Sequence, residues 1–241
     1  MFGRNKVKKT VLSGLFLLIS AACLSAGDVA TFVDKGFSED GRYYVFGQYG
    51  RTDKKYQGWA EIYQVEISKN DFVDSGVFKM KPTAVTAEKT GEEVYQALEA
   101  KSFYHMKELN CQKAEPDKVL YICDDANKAG TDKIVFKDFI HSDIEKPNTY
   151  NIQLVPTISG YGQNVKSSFY IMVEKKDSDG NLISRTQIGS PDVVRKGVSN
   201  YKIERIMCDK SEKNFIFVVE KTVEDDTGVS IRYMVEAGAI K

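Results

Sequence analysis

Short runs of alternating apolar and polar residues, separated by turn-forming residues, make up most of this chain. Such a period of two predicts half-buried strands. The first runs from Gly27 to Phe32 and the second from Arg42 to Tyr49. Between them, Ser38, Asp40 and Gly41 supply turn chemistry: short side chains that bond nearby backbone, then a glycine free to take positive φ. Arg51 to Gln57 is a polar hairpin loop. Gly58 to Ile67 follows as a third strand, in which Ile62, Tyr63 and Val65 carry the bulk. Lys69-Asn70-Asp71 then turns the chain into a fourth, Phe72 to Met80, interrupted by Gly76. Residues 28–81 thus form a β-meander.

The period changes once. Pro82 closes the meander, and within an insertion over 86–109 the spacing predicts a helix at about 91–109, opened by Thr90 or Glu88. Glu92 and Glu93 suit its positive N-terminus, and Val94, Leu98, Phe103 and Met106 fall on one face. From 110 to 241 the strand pattern returns: Lys118–Cys123, Lys133–Ile140, Tyr150–Ile158, Ser167–Glu174, Leu182–Ile188, Tyr201–Cys208, Asn214–Val223 and Val229–Ala237. Asp177-Ser-Asp-Gly-Asn181 is a tight turn between two of them.

The chain also repeats itself by residue class. With Tyr44-Val45-Phe46 placed over Phe215-Ile216-Phe217, Arg42 falls on Lys213 and Ser38 on Asp209; Phe169-Tyr170-Ile171 and Leu120-Tyr121-Ile122 fit the same pattern. The copies at 120, 169 and 215 are 49 and 46 residues apart, near the roughly 40–45 residues of a propeller blade. The fold class read from this is mainly β, built of antiparallel meanders in a propeller-like arrangement, with a β-sandwich as the alternative, and with one packed helix. Residues 28–241 are read as a single domain.

Phe37-Ser-Glu-Asp-Gly-Arg-Tyr-Tyr-Val-Phe46 resembles the turn and strand of periplasmic TolB-type propeller repeats, with Glu39 where those carry proline. Gly27-Asp-Val-Ala-Thr-Phe32, the Gly36–Tyr43 stretch, Phe46-Gly-Gln-Tyr-Gly50 and Gly58-Trp-Ala-Glu-Ile-Tyr63 together resemble a bacterial family of predicted secreted proteins, prominent in spirochaetes. That resemblance implies export and assigns no activity and no site residue.

The N-terminus points the same way. Arg4, Lys6, Lys8 and Lys9 precede an uncharged, largely apolar run from Val11 to Leu24, and Ser25-Ala26-Gly27 offers small residues for cleavage. Residues 1–27 read as a secretory signal, too short in its apolar part for a permanent span of about 20 residues. Ser20-Ala21-Ala22-Cys23 is a loose lipoprotein box, so Cys23 is a candidate for lipidation and for an envelope anchor. The whole chain balances 34 basic against 34 acidic residues. Removing the four basic residues of the signal leaves 30 against 34, a net charge of −4, which gives no footprint for nucleic acid.

Export permits disulfides, and Cys111 and Cys123 are a candidate pair, leaving Cys208 over; the alternative is three small buried apolar residues. Candidate chemistry is sparse. His141 has Asp138, Asp143 and Glu145 close in sequence, which would suit a hydrolase or a metal; the plainer reading is a solvated loop. His105 falls on the predicted helix. The 177–181 turn has calcium-type oxygens, but its glycine is fourth rather than sixth and Ile188 stands where a carboxylate is needed. No catalytic residue, metal or other cofactor is assigned. Tyr43, Tyr49, Trp59 and Tyr63 crowd the first β unit, either as a contact surface or as packing between strands. The expected role is a non-catalytic binding module of the periplasm or envelope, with another envelope protein as partner. A hydrolase and a glycan or small-ligand binder are the alternatives.

Overall fold

The computed structural model describes residues 28–52, 55–123, 133–138, 142–225 and 228–240. The signal segment, Cys23 and His141 lie outside them. Thirteen strands are assigned among these residues: β1 (Thr31–Phe37), β2 (Tyr43–Arg51), β3 (Gly58–Glu66), β4 (Asp71–Met80), β5 (Val119–Ile122), β6 (Lys133–Asp138), β7 (Asn148–Ser159), β8 (Lys166–Lys176), β9 (Leu182–Ile188), β10 (Arg195–Lys196), β11 (Val198–Cys208), β12 (Asn214–Asp225) and β13 (Gly228–Ala239). The helix, α1, spans Gly91–Leu109.

All strand pairs within the sheets are antiparallel. The first sheet has the order β1-β2-β3-β4. The second is β10-β8-β7-β6 with β9 also on β8. The third is β13-β12-β11-β5. Three apolar clusters fix how they stack. One joins the first sheet to the third through Phe37, Tyr44, Phe46, Ile216, Val218 and Val235. Another joins the third to the second through Phe217, Val219, Ile203, Ile152, Phe169 and Ile171. The last lies under α1, where Val94, Tyr95 and Leu98 meet Val45, Ala60 and Ile62. The layers therefore run helix, first sheet, third sheet, second sheet.

The third sheet is the middle layer, and its sequence shows why. Phe215-Ile-Phe-Val-Val219 of β12 is apolar without alternation, and all five residues are at most 3% exposed. A strand covered on both faces needs this pattern. Phe215, Phe217 and Val219 pack toward the second sheet, Ile216 and Val218 toward the first.

The expected antiparallel meanders and single packed helix are present. The propeller-like arrangement is corrected: among the described residues the sheets close into neither a ring nor a barrel, and they stack in a sandwich-like way. Three of the four repeat copies fall on interior strands, β2, β8 and β12, one in each sheet. The fourth falls on β5, a short strand at the edge of the middle sheet. The repeat thus marks one hairpin type used three times in a stack.

Two local expectations also shift. β1 continues through Gly36, because a bulge between Asp34 and Gly36 lets Phe37 pair with Tyr44. Gly36 has φ +96°, and backbone of Gln112 lies where its Cβ would be, so only glycine fits. On α1 the packed line is Val94, Leu98, Ser102, spaced by four, while Phe103 is 54% exposed. The helix opens on a reciprocal cap: Thr90 Oγ1 accepts from Glu93 N at 3.1 Å, and Glu93 Oε2 accepts from Thr90 N at 2.7 Å.

Candidate functional site

The middle sheet ends at β13, an edge strand whose outward backbone groups need partners. The first sheet supplies them from side chains and from the chain's own beginning. Ile231 N donates to Asp28 O at 2.9 Å. Tyr233 N donates to Gln48 Oε1 at 2.8 Å, and Ala237 N donates to Asn70 Oδ1 at 2.6 Å. Asn70 sits in the β3–β4 turn at φ 51°, a left-handed position that asparagine tolerates. Its Nδ2 donates to Glu236 Oε2 at 2.5 Å. Gln48 Nε2 in turn donates to Glu61 Oε2 at 2.9 Å, which also accepts from the Tyr63 hydroxyl at 2.7 Å. Strand alternation carries the N–H of Val235 to this same edge, between the two amide clamps.

A cleft of about 670 Å³ runs along this edge, within the size range of small-ligand sites. One wall is the β3–β4 turn with Tyr63 and Phe72, whose rings lie 4.9 Å apart. The opposite wall is the β9–β10 connection with Ser190, Val193 and Arg195. Lys221 of β12 and Tyr233 to Glu236 of β13 complete it.

The charges along the cleft are unevenly matched. Arg195 pairs with Glu236 at 3.2 Å, Arg232 with Asp28 at 2.5 Å and Lys79 with Glu61 at 3.3 Å. Glu236 is 5% exposed, and burial raises its carboxyl above the usual range despite Asn70 and Arg195. Lys221 has neither an ion pair nor a hydrogen bond among the described residues. Burial first, then the charges of Arg195, Arg232 and Lys79 opposed by Glu61, bring its ammonium down to about 8. Burial and the Glu61 carboxylate raise the Tyr63 hydroxyl, and burial with Glu220 and Glu204 pushes Tyr233 up to about 12.

Of the four candidate aromatics only Tyr63 reaches this cleft. Trp59 is 5% exposed; its Nε1 donates to Asp28 Oδ2 at 2.9 Å and its ring lies 4.1 Å beneath the Arg232 guanidinium. Tyr49 packs on Tyr95 of α1, with ring centroids 5.3 Å apart. Tyr43 is half-buried beside Arg42 at 5.2 Å. The residues grouped around His141 do not converge in the part described: Asp138 is buried on Lys175 at 2.8 Å, and Asp143 is exposed, accepting from Glu145 N. His105 Nε2 lies 2.7 Å from Gln64 Oε1. Asp177 Oδ1 accepts from Asp179 N and Asn181 N, which closes the expected hairpin turn. Among the described residues, no group of three or more His, Cys, Asp and Glu side chains is placed to hold a metal, and no helix is long and apolar enough to cross a membrane.

The Cys111–Cys123 bridge does not form, and Cys111 is a free thiol. Cys111 packs with the cluster under α1, whereas Cys123 follows β5 and its N–H donates to Glu204 of the middle sheet. Different layers hold the two residues. Burial pushes the Cys111 thiol up to about 11 and the Cys208 thiol to about 12.

Comparison with known proteins fits the export reading. The profile of a family described as predicted secreted protein (DUF2259) matches residues 45–239. The chain belongs to that family. No curated protein and no solved structure matches it. The matched span of this DUF2259 member includes Lys221, Arg195, Glu236 and Asn70, none of which the sequence marked as a site residue. A signal for Lys221 was there: it lies in phase with Phe217 and Val219, which face the second sheet, so a period of two predicts an inward-facing cation.

Proposed function

We propose that this secreted protein is a binding module of the cell envelope, without chemistry of its own, and that it holds its ligand in the cleft along β13. The observation that carries this reading is the rigid polar frame of the cleft. Gln48 and Asn70 tie the first sheet to backbone of β13, and Arg195 ties in the second sheet through Glu236. Aromatic walls beside fixed polar groups are the make-up of small-ligand sites, and a site set on strands is already ordered before the ligand arrives. A library of small polar and aromatic fragments, followed by backbone amide NMR, tests it. Shifts should gather at Asn70, Phe72, Ser190 and Tyr233; shifts gathered elsewhere would count against the cleft.

A protein partner is the second reading, favoured by α1. There Tyr104 is 80% exposed and Phe103 54%, with the rings edge to face at 5.6 Å. Exposed aromatic pairs are typical anchors of protein interfaces. A photo-crosslinker at position 104 in intact cells should yield a discrete adduct that the Phe103→Ala variant diminishes.

A further inference from the structure

Lys221 is the odd charge of the cleft. Three of its neighbouring cations have their own carboxylates: Arg195 has Glu236, Arg232 has Asp28 and Lys79 has Glu61. Lys221 is the fourth cation, and no carboxylate of the described residues pairs with it. Asp71, also in the lining, is exposed at the rim and accepts from the N–H of Phe72. Cross-strand register makes the imbalance worse. Lys221 stands opposite Arg232 on β13 and opposite Tyr201 on β11, and like charges facing each other across strands are destabilising. A half-buried charge without a counter-ion is costly, and strongly perturbed ionisable groups in clefts cluster at functional sites. The apolar part of the cleft says what that ligand carries besides its charge: Tyr63, Phe72 and Tyr233 border the same space.

We propose that the cleft is an anion site for a small organic acid, whose carboxylate or phosphate sits on the Lys221 ammonium while its apolar body lies against Tyr63, Phe72 and Tyr233. The proposal rests on the reading of the cleft as the ligand site. One negative charge gives Lys221 the counter-ion that Arg195, Arg232 and Lys79 already have, and the N–H of Val235, carried to the same edge by strand alternation, has no partner among the described residues. No helix end lies in the lining, so the usual anion cradle of a helix N-terminus plays no part; the selectivity comes from a side chain and an aromatic wall.

The test uses three probes of one shape, benzoate, phenyl phosphate and benzyl alcohol, titrated into the whole mature protein and followed by amide NMR. Benzoate or phenyl phosphate should shift the amides of the cleft and bind at least about tenfold tighter than benzyl alcohol, the worth of one charge-assisted hydrogen bond. The tighter of the two anions tells which acid group the site prefers. Lys221→Met should remove that tenfold preference. Side-chain NMR of lysine in the unmutated protein gives a readout free of folding artefacts. The Lys221 midpoint, about 8 without ligand, should rise when the anion binds, because an anion favours the ammonium over the neutral amine, adding to Glu61 and the nearby Glu236 and opposing Arg195, Arg232 and Lys79. If benzyl alcohol binds in the cleft as tightly as the anions, or the midpoint does not move, the anion assignment is overturned and the cleft reading stands. If none of the three shifts a cleft amide, both fall.

Discussion

The middle sheet meets its neighbours at two polar junctions that are built alike and balanced differently. At one, the turn from β1 to β2 lies beside the turn from β11 to β12, around a cavity of about 340 Å³. Ser38 N donates to Tyr43 O at 2.9 Å, and Asp209 N donates to Asn214 O at 3.1 Å, so Ser38 and Asp209 hold equivalent places. Each polar group argued from there has a partner: Ser38 bonds Asp40, Asp209 collects its own turn, and Lys118 pairs with Glu212 and Asp117. At the other, the β13 cleft, one cation is left over. A junction whose buried or half-buried polar groups, Ser38, Asp209 and Lys118, all have partners accounts for itself as structure. A junction that keeps an unmatched, half-buried ammonium carries a cost that folding alone does not explain, and this is what favours the cleft over the other junction as the proposed ligand site.

The largest expected effect breaks the matched junction. Asp209 is 5% exposed. Its carboxylate accepts from Lys213 N and Asn214 N at 3.2 Å, from Asn214 Nδ2 at 2.8 Å and from the Ser211 hydroxyl at 2.8 Å. Asp209→Ala strands these donors and should cost about 3 kcal/mol, read by denaturant unfolding. A cost under about 1 kcal/mol would mean that water replaces the carboxylate and that the junction is not tightly built.

Lys221→Met should act in the opposite sense. Lys221 titrates near 8 in the fold against 10.5 for an ordinary lysine, so between those values the unfolded chain holds more protons than the folded one. Stability then rises with pH across that window, and the burden of the ammonium is at its fullest below about 8. Discounted for the partial exposure of the side chain, its removal should stabilise the protein by about 2 kcal/mol at pH 7. The advantage over the unmutated chain should shrink as the pH goes from 8 toward 10.5. An advantage independent of pH would assign it to packing by the methionine instead.

The difference between the junctions also explains what could be read from the chain. Strand identity was legible because it is local: β3 (Gly58–Glu66), β4 (Asp71–Met80) and β9 (Leu182–Ile188) lie within a residue of where alternation puts them. So was the turn chemistry of Ser38 and Asp209, since a turn bonds to its own next few residues. The stacking was not legible, because it depends on which strands share a sheet, and β5 joins β11 across more than 70 residues of chain. The cleft is non-local in the same way. Asn70 is 166 residues from Glu236, and Gln48 is 185 from Tyr233; no motif spans such distances. Trp59 shows the converse: a conspicuous residue in the sequence, it is used here to brace Asp28 and Arg232.

The smallest effect separates the two turns of the matched junction from each other. Ser38, although 6% exposed, accepts one backbone donor, Tyr43 N at 3.0 Å, and its hydroxyl donates to Asp40 Oδ1 at 2.6 Å. Asp40 is itself held below the usual carboxylate range, first by that hydroxyl and then by Arg42 N. Ser38→Ala removes one acceptor where Asp209→Ala removes a site for several donors, so its cost should be about 1 kcal/mol. It should also let the Asp40 carboxyl titrate closer to an ordinary aspartate, which side-chain NMR reads directly. Equal losses from the two substitutions would show that the turns are equivalent in energy as well as in position, and that the count of bonded donors does not decide what each contributes.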